Sequence, residues 1–230
     1  MIQLHYKYLF SKYNLWTILI IILLYLGGLL INIFSIPINI AVASAKEMYF
    51  LNVVSLLKFV LMFLIIFLFG NAGTYHNDSY LLFLIDKRVK RIKFYVTKIF
   101  SLFSITIFLT SIFMLLFIMV GIFFSNWYII EWQHVKFFLY LGMVSFMYGL
   151  ITYNLVKFIT SIFTIFLPCL IILLEESFVN EELIKLTSYL FPIIQNNHSV
   201  GLSYGIFHVI LLIGCYMLIG LIKTYTLDIK

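Results

Sequence analysis

Side chains able to hold a metal, attack a carbonyl or bind a nucleotide phosphate are sparse in this chain and poorly grouped. The five histidines, His5, His76, His134, His198 and His208, form no His-Glu-x-x-His pattern and lack neighbours at metal-ligand spacing, so no zinc site is predicted. His208 falls within an apolar run, where packing or a hydrogen bond to a neighbouring helix is the simpler reading. No Gly-rich loop closing on Lys-Ser or Lys-Thr occurs, so the chain is not expected to bind and hydrolyse ATP by itself. Cys169 and Cys215 both lie in apolar runs and predict buried thiols rather than a disulfide. The densest acidic cluster is Glu175, Glu176, Glu181 and Glu182, most simply the solvated lip of a loop.

The densest chemistry is basic. Asp78 to Lys98 carries Lys87, Arg88, Lys90, Arg91, Lys93 and Lys98, six of the fifteen basic residues, wedged between two runs too apolar to live in water. With 64% hydrophobic and 10% charged residues the chain lies far from soluble domains, whose charged share is about 25%. Its mean hydropathy of +1.12 agrees. A bilayer core ~30 Å thick needs about 20 apolar residues per helix, and the long unbroken runs exclude the alternation of a barrel. The net charge of +6 sits in short segments between these runs, which reads as topology and predicts no nucleic-acid partner.

The expected fold class is therefore an all-α integral membrane protein in one transmembrane domain, 1–230, with six spans at about 14–34, 51–70, 99–124, 137–154, 158–174 and 204–222. Residues 1–13 place Ile2, Tyr6, Leu9, Phe10 and Tyr13 at helical spacing and predict an interfacial helix. Ala43-Ser44-Ala45 imitates a signal-peptidase site, but the preceding run is too long for the usual signal core and is read as a retained first span. Residues 35–50, with Pro37, Lys46 and Glu47, are expected as an outer loop. Residues 71–98 form a basic inner loop in which Val89, Ile92, Val96 and Ile99 make an apolar stripe beside Lys87, Lys90, Arg91 and Lys98. Phe137 to Leu174 holds a single charge, Lys157, and is read as a helical hairpin turning near Asn154 to Lys157, with Pro168 kinking the fifth span. An outer amphipathic segment is expected over 175–197.

Six spans place both termini on one side. That side receives eleven of the fifteen basic residues, so the positive-inside rule makes it cytoplasmic. Lys58 stands out because it lies well inside the second span, where a charge costs about 3 kcal/mol at the bilayer centre. Either its stem carries the ammonium to the surface, or it stands on a substrate path with Glu175 and Glu176.

This order of interfacial helix, spans, basic inner loop, tight turn and acidic outer segment resembles the permease subunits of the ABC type-2 exporter family. Their inner loop often reads as a Gly-Thr step, a Leu-Leu pair, a basic cluster and a Lys opening span three, matched here by Gly73-Thr74, Leu81-Leu82, Lys87 to Lys93, and Lys98. Asn71-Ala72 stands where an acid commonly precedes Gly-Thr, and Asp86-Lys87 where a Pro commonly follows the Leu-rich turn. The resemblance implies a coupling surface at Asp78, Leu81, Leu82, Asp86, Lys87, Arg88, Lys90 and Arg91. It also implies two copies of an ATPase partner that binds the ATP and Mg, a second permease chain forming a homodimer or heterodimer, and no cofactor in this chain. Export from a bacterial cell, across its cytoplasmic membrane, is the implied activity. Small permeases of this kind move bacteriocins or phenol-soluble modulins, and the Phe-rich spans suit an amphipathic peptide cargo.

The basic loop alone also suits anionic lipid headgroups, at about 1 kcal/mol per basic residue near the surface. Two other functions compete with export. One is a non-catalytic membrane scaffold or immunity protein that binds peptide without pumping. The other follows from Glu175-Glu176, which resembles the paired glutamates of CPBP-type intramembrane proteases, although Asn180 stands where their motif continues with Arg.

Overall fold

The computed structural model describes residues 12–37, 41–74, 88–125, 128, 131–158, 165–177 and 202–226. Six helices occupy them: α1 Lys12–Phe34, α2 Val42–Thr74, α3 Arg88–Phe124, α4 Trp132–Phe158, α5 Phe166–Ser177 and α6 Leu202–Thr226. Five, all but α5, are long and apolar enough to cross a membrane. The protein is thus an all-α, multi-pass membrane protein, as the composition requires.

Helix ends follow local chemistry. α1 stops because Pro37 disfavours helical geometry at Ile36, and the Ser35 N–H and hydroxyl donate to Ile31 and Asn32 carbonyls at 3.0 and 2.9 Å. α3 ends on Ser125, whose hydroxyl donates to the Gly121 carbonyl at 2.6 Å. In α5, Pro168 occupies the first turn, where its missing N–H would have found no helical partner anyway. The residues that would carry the other arm of the expected Pro168 kink, 159–164, lie outside the described ones.

Packing centres on α2 and α4. Their most apolar windows are 67% and 61% buried, against 22%, 33% and 17% for α1, α3 and α6, which leaves most of the surface of the latter three uncovered by this chain. α4 packs on α2, α3, α5 and α6. Close approach of α2 and α4 depends on Gly149, where a Cβ would fall 2.8 Å from the Phe69 ring and 3.0 Å from Ile65.

The five helices long enough to cross fall on five of the six expected runs, but several ends differ. α2 covers 33 residues rather than 51–70, so residues 42–50 of the expected outer loop are helical. Lys46 and Glu47 fail to end it because, at 1.5 Å per residue, α2 is about 50 Å long and its first turns clear the ~30 Å core. Arg88 to Lys98 is likewise no separate helix, being continuous with span three in a single helix of 37 residues.

The expected turn does not fall at Asn154 to Lys157, which are helical because α4 runs to Phe158; residues 159–164 lie outside the described ones. Asn154 is buried within the bundle because its amide donates to the Tyr216 carbonyl at 2.9 Å, which replaces the water a turn would have supplied. The expected span 158–174 corresponds to α5, whose 12 residues reach only about 18 Å. The interfacial helix falls outside the described residues except for Lys12 and Tyr13, which begin α1. Residues 178–197 of the outer segment also lie outside them.

Candidate functional site

One group of buried polar side chains lies where the ends of α2, α3 and α4 meet α6. Lys98, expected on the exposed basic face, is instead buried, with 7% of its surface exposed. Its ammonium donates to the carbonyl of Ala72, in the last turn of α2. The final four carbonyls of a helix lack intrahelical donors and carry the negative end of its dipole, so a cation supplied by α3 satisfies both deficits. Nζ also lies 5.4 Å from the Tyr153 ring and 5.8 Å from the Phe94 ring, within cation–π range.

The predicted stripe is split: of its described members Ile99 is buried, but two are not. Ile92 and Val96 are exposed, while Phe94, Tyr95, Lys98, Ile99 and Leu102 face the bundle. Aromatic contact and a carbonyl partner outweigh the apolarity of the β-branched residues, which lipid or interface can accept.

Two further bonds extend the cluster. The Tyr95 hydroxyl donates to the Met217 carbonyl at 3.4 Å, beside the Asn154 bond to Tyr216. Both carbonyls belong to the interior of α6, and they are reachable because Gly220 leaves them unshielded. A Cβ there would lie 2.0 Å from Tyr95 Oη and 2.6 Å from Asn154 Oδ1. Asn71 adds α1, donating to Asn14 Oδ1 at 3.2 Å. Side chains thus tie α1, α2, α3, α4 and α6 together just beyond the basic segment. Such a cluster can fix helices rigidly to one another.

Of the residues predicted from sequence, Arg88, Lys90 and Arg91 lie in the first turn of α3, at the end farthest from Phe124. Asp78, Leu81, Leu82, Asp86 and Lys87 lie outside the described residues. Lys58 is buried within α2, only 4% exposed, so its stem does not carry the ammonium to the surface of this chain. Tyr25 and Ser145 are buried too, and their hydroxyls have no hydrogen-bond partner among the described residues. Glu175 and Glu176 lie in the last turn of α5. Among the described residues no three His, Cys, Asp or Glu side chains are grouped to hold a metal.

Sequence reasoning missed Tyr95, Tyr153, Asn154 and Gly220. Their one legible signal is the recurrence of Tyr95, Lys98 and Leu102 at helical spacing.

Fold and buried cluster together define a polytopic helical membrane protein whose helix ends are joined by polar contacts. Comparison with known protein families gives no match, and no curated protein matches the chain either.

Proposed function

We propose that this chain is the membrane-spanning permease subunit of an ATP-driven exporter, moving an amphipathic peptide outward with ATP hydrolysed by a separate subunit. In this reading there are six crossings, α5 forming part of the fifth, and both termini face the cytoplasm. The chain pairs with a second permease chain and with two ATPase subunits. The observation that carries the proposal is the continuity of the basic segment with a span: Arg88 to Phe124 is one helix of about 55 Å. A push on its charged end reaches the membrane interior without a flexible joint, which is what rigid-body coupling demands. Lys98 and Tyr95 hand that movement to α2 and α6.

Charge reversal provides the test. Replacing Lys87, Arg88, Lys90 and Arg91 together by Glu is expected to leave insertion intact and to abolish cargo-stimulated ATP turnover of the complex purified with its native partners. Unchanged stimulation would remove the coupling role. Absence of any co-purifying ATPase would favour a peptide-binding scaffold.

A further inference from the structure

α2 and α4 keep a fixed register. Phe50 meets His134 and Ile65 meets Gly149, fifteen residues further along both helices, so the two run in the same direction and in step. Seven residues before that second contact, Lys58 is level with Gly142. Gly142 fixes the depth, because a Cβ there would lie 3.0 Å from the Thr110 hydroxyl oxygen of α3. Thr110 stands near the middle of the uncharged run from Ile99 to Phe124. Lys58, buried in α2, is therefore at the centre of the apolar layer, and its interval of two turns from Ile65 puts it on the stripe of α2 that faces α4.

α5 reaches the same layer from the far end of α2. A Cβ at Gly70 would lie 2.7 Å from Ile165, at the foot of α5. From there α5 rests on both α2 and α4, with Pro168 and Ile172 buried. A helix that leaves the end of α2 and is still covered at Ile172 runs back along the bundle. Lys58 lies twelve residues back from Gly70, and Ser177, the last residue of α5, lies twelve on from Ile165. Each interval is about 18 Å of helix, so the last turn of α5 ends at the depth of Lys58. Glu175 and Glu176 occupy that turn. They follow Ile172 by three and four residues, the spacing that continues the face of Pro168 and Ile172.

A charge at this depth costs about 3 kcal/mol, and charges found there pair with one another. An ammonium on α2 and carboxylates on α5, brought to one depth on neighbouring helices, offset each other's cost when they meet.

We infer that Lys58 and the Glu175–Glu176 pair form an ion pair in the middle of the membrane, which fixes the half-length helix α5 against α2 and α4. The two glutamates then belong to the bundle and not to a solvated outer lip. Lys58 is a positioning residue in this arrangement. α5, with 12 residues, is too short to cross alone, and apolar contact sets its height only weakly because lipid tails are as apolar as its neighbours. Opposite charges at one depth remove that freedom. The pairing is independent of the exporter reading.

Charge exchange tests it, read as the folding equilibrium of the full-length protein in detergent micelles. Lys58→Glu puts like charges into one layer and is expected to lower the folding equilibrium constant roughly tenfold, equivalent to about 1.4 kcal/mol. Adding Glu175→Lys or Glu176→Lys restores opposite charges, and one of the two exchanges is expected to recover that loss, which a purely steric role of Lys58 would not allow. Recovery by neither overturns the pair. If Lys58→Glu fails to fold, the unaltered chain decides. A membrane-permeant carbodiimide condenses a carboxyl with an adjacent amine, forming an amide while the reagent takes up the water and leaves as a urea. Digested peptides joined through Lys58 and Glu175 or Glu176 support the pair, and a Lys58 joined to neither overturns it.

Discussion

Replacing Gly220 by Ala would put a methyl carbon 2.0 Å from the Tyr95 hydroxyl and 2.6 Å from the Asn154 amide oxygen, far inside contact distance. Either α6 moves away or both polar tips leave the carbonyls of Met217 and Tyr216. Two hydrogen bonds at about 1 kcal/mol each are then at stake. Forcing a methyl into a packed site costs about 1–3 kcal/mol more. Against this, Ala gains about 0.5–1 kcal/mol over Gly within a helix. The net expectation is a loss of about 3 kcal/mol, read as a lowered unfolding midpoint of the protein in detergent micelles.

The same helix supplies its control, because a Cβ at Gly214 meets nothing within 4 Å. Gly214→Ala should therefore stabilise by about 0.5–1 kcal/mol, the helix-propensity gain alone. Tyr95→Phe removes the nearest obstructing atom, so combining it with Gly220→Ala should cost less than the two changes added separately. If Gly220→Ala and Gly214→Ala behaved alike, the close approach at Tyr95 and Asn154 would not exist, and α6 would not be joined to α3 and α4 there.

Two other substitutions probe the buried cations. Lys98→Met orphans the Ala72 carbonyl, a cost of about 1–3 kcal/mol, but removes an ammonium that is expensive to bury, so the unfolding midpoint should change little. ATP-driven export should fall, and full export would remove Lys98 from the coupling route. Lys58→Met should insert normally while export drops; retained export would take Lys58 off the cargo path.

The apolar runs made α1 and α6 legible to within about one helical turn at each end, because ~20 uncharged positions have no other stable arrangement in lipid. Helix ends were far less legible. Lys46, Glu47 and the residues from Arg88 to Lys98 read as loops because charge marks the water boundary, yet a helix can continue past that boundary. Asn154 read as a turn for a related reason: its hydrogen-bond partner, the Tyr216 carbonyl, is remote in sequence. Lys98 read as exposed because neither Ala72 nor Tyr153 can be paired with it from local spacing.

The length of α3 carries one more consequence. Its stretch from Ile99 to Phe124 has 26 residues without a charge, about 39 Å of apolar rod in a hydrocarbon layer ~30 Å deep. Upright, it would leave about 9 Å of apolar surface outside that layer, which favours a lean or a local swelling of the lipid. Thicker membranes would stand the rod more upright and draw Arg88 to Arg91 sideways as they did so. The position of the positive charges is then set partly by acyl-chain length, making this helix a gauge of the bilayer that houses it.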